Sequence, residues 1–449
     1  ISKPALFIAG SVDDVSGYEK GVRAIWQGAT SVDRALRTFD NEIADGLEQA
    51  SHGALKAFLA PHGTAEGREV GEMQAFDQMA TVPFTTGNQI ELLVDGDQTF
   101  DALFAGIDAA EQYVLAQFYI IHDDQIGRAF KERLIAAARR GVGVRLMDDT
   151  VGSIKLPRSY RRELDAAGVI VCPFSGPRSW LKKLRLNFRN HRKIVVCDGR
   201  VAFAGGLNVG DEYLGRDETI GNWRDTHLRV HGPIVQGLQL SFCRDWFYGT
   251  REEIDGLQWE PTASEGADQT ALVLASGPAD EIETCGLLYA HVIESAEERI
   301  WIATPYFVPD GRVLGALQLA ALRGVDVRIL MPRTSDSIFF KYVPYAYLPD
   351  VARTGVRVFL YEDGFMHQKV AVVDRDFAAV GTANFDNRSF RLNFEATVVA
   401  HDEGVCDDVA RMLERDLASC TEIGLKDIEG KSFAFRFAAN ATRMLAPVL

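Results

Sequence analysis

Two stretches of this 449-residue chain carry the same polar groups at the same offsets. "NHRKIVVCDGRVAFAGGLNVGDEY" (190–213) holds His191, Lys193, Asp198, Gly205 and Asn208. "MHQKVAVVDRDFAAVGTANFDNRSF" (366–390) holds His367, Lys369, Asp374, Gly381 and Asn384. One short motif of this kind recurs easily by chance. A second complete copy, with no polar member lost, requires a duplicated fold whose halves work together.

The duplication extends upstream. "AEQYVLAQFYIIHDDQIGRAFKERLIAAARRGVGVRLM" (110–147) aligns with "EERIWIATPYFVPDGRVLGALQLAALRGVDVRILM" (297–331). Each reads as a strand run containing Tyr119 or Tyr306, a helix, an Arg-Gly-Val turn and a second buried strand. That order predicts βαβ units, with the H-x-K elements as further strands. The expected fold is α/β: two similar lobes with approximate twofold symmetry, each a mixed sheet flanked by helices, sharing one site at their interface. The boundaries are placed at 84–260 and 261–449, with the seam in the polar stretch 251–270. Residues 1–83 lie outside the repeat and read as a mostly helical extension of unassigned role.

Side chains alternate along a strand, so each histidine shares a face with its lysine. Asp198 and Asp374 lie at an odd offset and turn away, which points to a structural role. Asn208 and Asn384 follow glycines, where a tight turn brings an amide donor close to an anion. Gathered at one point, two imidazoles, two ammonium groups and two amides suit a metal poorly, and neither metal nor cofactor is expected. They suit a phosphodiester. The lysines and asparagines hold the non-bridging oxygens, one histidine attacks phosphorus and the other protonates the leaving oxygen, through a covalent intermediate. Six histidines outside the motifs, at 52, 62, 122, 231, 291 and 401, carry no comparable signal.

These motifs resemble those of the phospholipase D superfamily, H-x-K-x4-D-x6-G-[GST]-x-N. "GRDETIGNWRDTHLRVHGP", "WIATPYFVPD", "LAALRGVDVRILMP", "YEDGFMHQK", "NFDNRSFRLNFE" and "AANATRMLAPVL" are similar to its branch of bacterial cardiolipin synthases and soluble phospholipases D. The resemblance spans roughly residues 84–449. It implies cleavage of a glycerophospholipid with phosphatidyl transfer to water or to an alcohol, glycerol or phosphatidylglycerol. It also implies an acid that orients each histidine, matched by Asp225 after the first motif and Glu395 after the second. On that basis His191 is expected to be the nucleophile, oriented by Asp225. His367 is expected to be the general acid and then base, supported by Glu395.

A net charge of −15 argues against a general nucleic-acid binder, and so against the superfamily's nucleases, which stay as the competing enzyme reading. A lipid-binding module with a vestigial site is the second alternative. Against that acidity, "RSWLKKLRLNFRNHRK" (178–193) has seven basic residues and no acid, interleaved with apolar teeth as in a surface for anionic headgroups. "SIFFKYVPYAYLP" (337–349) suits an acyl groove or a core equally well. The six cysteines are scattered and are read as reduced thiols. No run approaches the ~20 apolar residues of a membrane span, so the protein is expected to be soluble or peripheral to a membrane, and bacterial. The chain opens at Ile1 rather than Met, which leaves a removed leader or anchor open.

Overall fold

The computed structural model describes residues 68–174, 188–217, 220–278, 280–334 and 342–445. Both predicted βαβ units are present. Tyr113–Phe118 and Gly143–Asp149 pair in parallel around the helix Gln125–Arg139. Arg299–Ala303 and Asp326–Pro332 do so around Gly311–Leu322. The two helices start and stop by the same devices. Asp124 and Asp310 cap them by accepting from the N–H groups of Gly127 and Val313. Gly141 and Gly324 end them at φ of 90° and 97°. Each buries one stripe, Ile126, Phe130, Leu134 and Ala137 in the first and Val313, Leu317 and Ala320 in the second. Tyr119 and Tyr306 fall just past their strands rather than within them.

Among the described residues sixteen strands form one mixed sheet, Arg189–Asn190 at the side of Asn393–Ala400 and the other fifteen in one path whose halves repeat the same order outward from a central junction. The first half runs Thr85–Val94, Thr226–His231, Val201–Gly205, Ile194–Cys197, Tyr113–Phe118, Gly143–Asp149 and Ile170–Phe174. The second runs Gln269–Ser276, Asn393–Ala400, Phe377–Gly381, Val370–Val373, Arg299–Ala303, Asp326–Pro332 and Arg357–Tyr361, with Cys420–Ile423 added at its edge. Thr85–Val94 and Gln269–Ser276 pair antiparallel at the junction. A single apolar cluster then crosses between the halves. It joins Val196, Leu228 and Val230 to Val273, Ala396 and Val398, roofed by Phe242 of the helix Ile234–Thr250 and Leu413 of the helix Glu403–Ala418. Burial of each such side chain contributes roughly 1.5–3 kcal/mol, so the halves are held as one body. Ahead of the repeat, the helix Arg68–Met79 sets Met73 and Phe76 into the core of the second half, Phe76 against Phe377.

The motif aspartates end strands. Asp198 and Asp374 adopt left-handed backbone, at φ of 55° and 49°. The Asp198 carboxylate accepts from the N–H groups of Glu111, Gln112 and Tyr113 at 2.8 Å each. Asp374 accepts from Glu297, Glu298 and Arg299 at 2.7–2.9 Å. Each thus ties the turn of its H-x-K strand to the start of the neighbouring strand. Asp198→Ala and Asp374→Ala are predicted to lose about 2–4 kcal/mol of stability, from three charge-assisted hydrogen bonds and the left-handed backbone together. Denaturant melts check this, and a fully stable but inactive Asp198→Ala would contradict it.

Candidate active site

Histidine and lysine do not sit within a strand, as the sequence reading had them. They lie in the extended segment just ahead of Ile194–Cys197 and Val370–Val373. That segment is pinned from the other half. Arg189–Asn190 pairs in parallel with Asn393–Phe394, and the His191 N–H donates to the Phe394 carbonyl at 2.9 Å. Phe365–Met366 pairs likewise with Trp223–Arg224, and the His367 N–H donates to the Arg224 carbonyl at 2.8 Å.

The exchange decides which acid meets which histidine. His191 Nδ1 lies 3.1 and 3.0 Å from the two carboxylate oxygens of Glu395. His367 Nδ1 lies 2.7 Å from Asp225 Oδ2. The expected pairing of His191 with Asp225 and His367 with Glu395 is therefore corrected. Each acid follows its own motif in sequence but serves the histidine of the other half, because the short parallel pairs carry the H-x-K segments across the junction.

The residue between histidine and lysine locks each crossing. Arg192 is buried, ion-paired to Asp245 at 2.7 Å, and donates to the Glu395 and Ser276 carbonyls. Gln368 donates to Asp416 at 2.8 Å, and Asp416 also grips Arg224 through two bonds of 2.7 and 3.0 Å. The acids are held individually. Glu395 accepts from Thr382 Oγ1 at 2.5 Å and Asn393 Nδ2 at 3.0 Å. Asp225 packs against Gly206, where a Cβ would come within 2.0 Å of its Oδ1. Tyr119 and Trp223 wall the two imidazoles, with ring centroids 5.0 Å away in each case.

Lys193 Nζ donates to the His191 carbonyl at 2.6 Å. Lys369 Nζ donates to the His367 carbonyl and also lies 2.9 Å from His367 Nδ1. Burial, with the Lys369 charge added, pushes Lys193 down to about 7 against the pull of Glu395. Burial and then Lys369 hold His367 down at about 3, and burial lowers His191 despite Glu395. Burial would raise both acids, but Lys369 and His367 outweigh it at Asp225, and His191 and Lys193 outweigh it at Glu395, so both end lowered. The lowered values favour neutral imidazoles beside ionised acids. A carboxylate at Nδ1 accepts from Nδ1–H, which leaves the Nε2 lone pair open to a ligand.

The asparagines differ. Asn208 donates one amide hydrogen to the Tyr213 hydroxyl at 2.9 Å and accepts from the Ile120 N–H, leaving one hydrogen for a ligand. Asn384 Oδ1 is buried without a hydrogen-bond partner, and its N–H donates to Ser389 Oγ. Among the described residues no cluster of three or more His, Cys, Asp or Glu could hold a metal. Of the basic stretch, 178–187 lie outside the described residues, as do 337–341 of the aromatic one, whose Tyr347 and Leu348 are core.

A family model described as "Cardiolipin synthase, PLD-like domain" matches residues 103–246 and 289–417. The chain belongs to that family. It is 44% identical over 384 residues to cardiolipin synthase A of Pseudomonas putida strain GB-1, covering 86% of this chain and 80% of that one. With cardiolipin synthase A of Pseudomonas fluorescens Pf-5 it shares 44% identity over 377 residues, covering 84% and 78%. This phospholipase D-like protein is thus an enzyme, a phosphatidyltransferase. The crystal structure of phosphatidylserine synthase from Haemophilus influenzae Rd KW20 shares its fold, with a TM-score of 0.62 at 13% identity over 85% of this chain and all of that one. No helix among the described residues is long and apolar enough to cross a membrane.

One site residue escaped the sequence reading. His227 is 1% exposed, neither ring nitrogen has a hydrogen-bond partner, and its ring packs on Gly205 of the first motif. No motif marks it in the sequence, and only its burial without a partner distinguishes it. Burial lowers it to about 3, well under its ordinary 6.5. The unfolded chain therefore takes up this proton first as pH falls, and stability declines from pH 6.5 towards 3. His227→Gln is predicted to flatten stability against pH in the upper part of that window by about 1.4 kcal/mol per pH unit. Denaturant melts across pH check this; an unchanged slope would contradict it.

Proposed function

We propose that this enzyme transfers a phosphatidyl group between glycerophospholipids through a phosphohistidine on His191. In the reading favoured here, two phosphatidylglycerols give cardiolipin and glycerol. The relatives named above are cardiolipin synthases, which supports phosphatidylglycerol as both donor and acceptor, drawn from a membrane surface. The observation that carries the assignment is the unequal surroundings of the two Nδ1 atoms. His191 Nδ1 faces both oxygens of Glu395, a setting that leaves its Nε2 electron-rich. Lys369 lies beside the Nδ1 of His367 as well as Asp225, which makes that ring a weaker base and a readier proton donor.

His191 Nε2 attacks phosphorus, the glycerol oxygen leaves with a proton from His367, and the phosphatidyl group stays on His191. The acceptor hydroxyl then gives its proton to His367 and its oxygen attacks phosphorus, releasing His191. Lys193, Lys369, Asn384 and the remaining amide hydrogen of Asn208 hold the non-bridging oxygens and stabilise the charge of the transition state. Burial and Lys369 keep His367 neutral on the protein's own charges. A bound phosphodiester brings a negative charge beside it and raises its proton affinity when an acid is needed.

A substrate with a good leaving group needs little protonation and separates the two roles. His367→Ala is predicted to accumulate labelled phosphohistidine from such a substrate, whereas His191→Ala forms none. With phosphatidylglycerol, the unmodified enzyme yields cardiolipin and free glycerol by mass spectrometry. Label in His191→Ala would reverse the assignment, and phosphatidic acid as the only product at every acceptor concentration would overturn the transfer reading.

A further inference from the structure

The site opens at the C-terminal ends of the parallel strands, since Val370, three residues past His367, pairs with Ala303 at the end of Arg299–Ala303. Two exposed apolar points stand at that end. The first is the turn after Gly143–Asp149. Asp149 accepts from the N–H groups of Val151, Gly152 and Asn190, and Ser153 Oγ donates to the Tyr119 carbonyl, so the turn is fixed to the wall beside His191. Yet Ile154 is 75% exposed and Val151 36%, with Lys155 and Arg158 exposed next to them.

The second is the start of the helix Phe433–Leu445. Phe435 turns inward onto Tyr342 and Tyr345, at 5.1 Å from each. Phe433 and Phe437, 76% and 67% exposed, face out one turn apart between exposed Lys431 and Arg436. Tyr342 opens the helix Val343–Ala352, which leads back to Arg357 at the far end of the strands. Phe433 and Phe437 therefore belong to the site end.

We propose that these two points are the feet on which the enzyme seats on a bilayer rich in anionic phospholipid. This rests on the phospholipid reading above. Ile154, Phe433 and Phe437 enter the boundary between headgroups and acyl chains, and Lys155, Arg158, Lys431 and Arg436 lie at the level of the phosphates. The surface is separate apolar points rather than one groove, edged by cations on a chain of net charge −15, and it flanks the site. Those features fit a fluid anionic surface better than a folded partner. The seating lets a headgroup phosphate reach His191 while the acyl chains stay in the layer.

The test is flotation of the full chain with vesicles of phosphatidylglycerol and phosphatidylethanolamine, beside turnover of detergent-dispersed phosphatidylglycerol. The triple variant Ile154→Asn/Phe433→Ser/Phe437→Ser is expected to lose vesicle binding roughly tenfold or more and to keep dispersed turnover. Leu319→Ser/Leu322→Ser is the control. These leucines are also exposed, at 60% and 66%, but sit at the opposite end of the strands, and their loss should leave both readouts unchanged. Equal vesicle binding by the triple variant, or an equal loss in the control, overturns the proposal, as does loss of dispersed turnover in a triple variant with an unaltered melt. Should the triple variant not fold, Phe437→Gln alone must weaken vesicle binding, and parental binding by it overturns the proposal. Absence of dispersed turnover in the unmodified enzyme would instead count against the phospholipid reading, leaving flotation to decide the surface.

Discussion

Each reactive imidazole takes its carboxylate from the other half of the chain. His191 on Glu395 and His367 on Asp225 are hydrogen bonds across the junction, spanning 204 and 142 residues of sequence. Neither half alone holds an oriented histidine, so the proposed chemistry depends on the apolar cluster that joins the halves. The crossing is reinforced by the buried Arg224–Asp416 pair, and by Arg192, which Asp245 of its own half holds while it donates to the Glu395 and Ser276 carbonyls of the other. Such pairs add little net stability compared with well-packed apolar residues, but breaking one costs several kcal/mol. They act here as registry locks, fixing the two strands whose relative position sets both imidazole–carboxylate contacts.

The site suits an anion. Two lysines and two histidines share a buried space with two carboxylates, and each carboxylate is already committed to an imidazole. Lys193 is driven down to about 7 largely by that burial. In the proposed reaction a phosphodiester adds negative charge there, raising the proton affinity of the lysines and of His367 together. Binding and activation therefore share one electrostatic cause.

Much of this was legible because it is local. The spacing of His191, Lys193, Asp198 and Asn208, and its recurrence, exposed the duplicated fold and the inventory of the site. The Arg-Gly-Val turns marked the βαβ units. The partner of each histidine was not legible, because Asp225 and Glu395 follow their own motifs in sequence and only the two-residue strands 189–190 and 365–366 reveal the exchange. His191 and Lys193 lie ahead of the strand in which the sequence reading had them. Lys193 bends back to the His191 carbonyl ahead of the strand, where alternation does not apply. His227 was missed since a lone histidine two residues past an acid has no motif, and only its burial without a partner distinguishes it.

The crossed pairing is the central claim, and imidazole nitrogen spectra of the histidine-labelled full chain test it most directly. Near neutral pH, His191 and His367 should each give the pattern of a neutral ring protonated at Nδ1. Glu395→Gln should move the His191 signals and spare those of His367, and Asp225→Asn should do the reverse. Movement of His367 by Glu395→Gln, with His191 unmoved, would contradict the account.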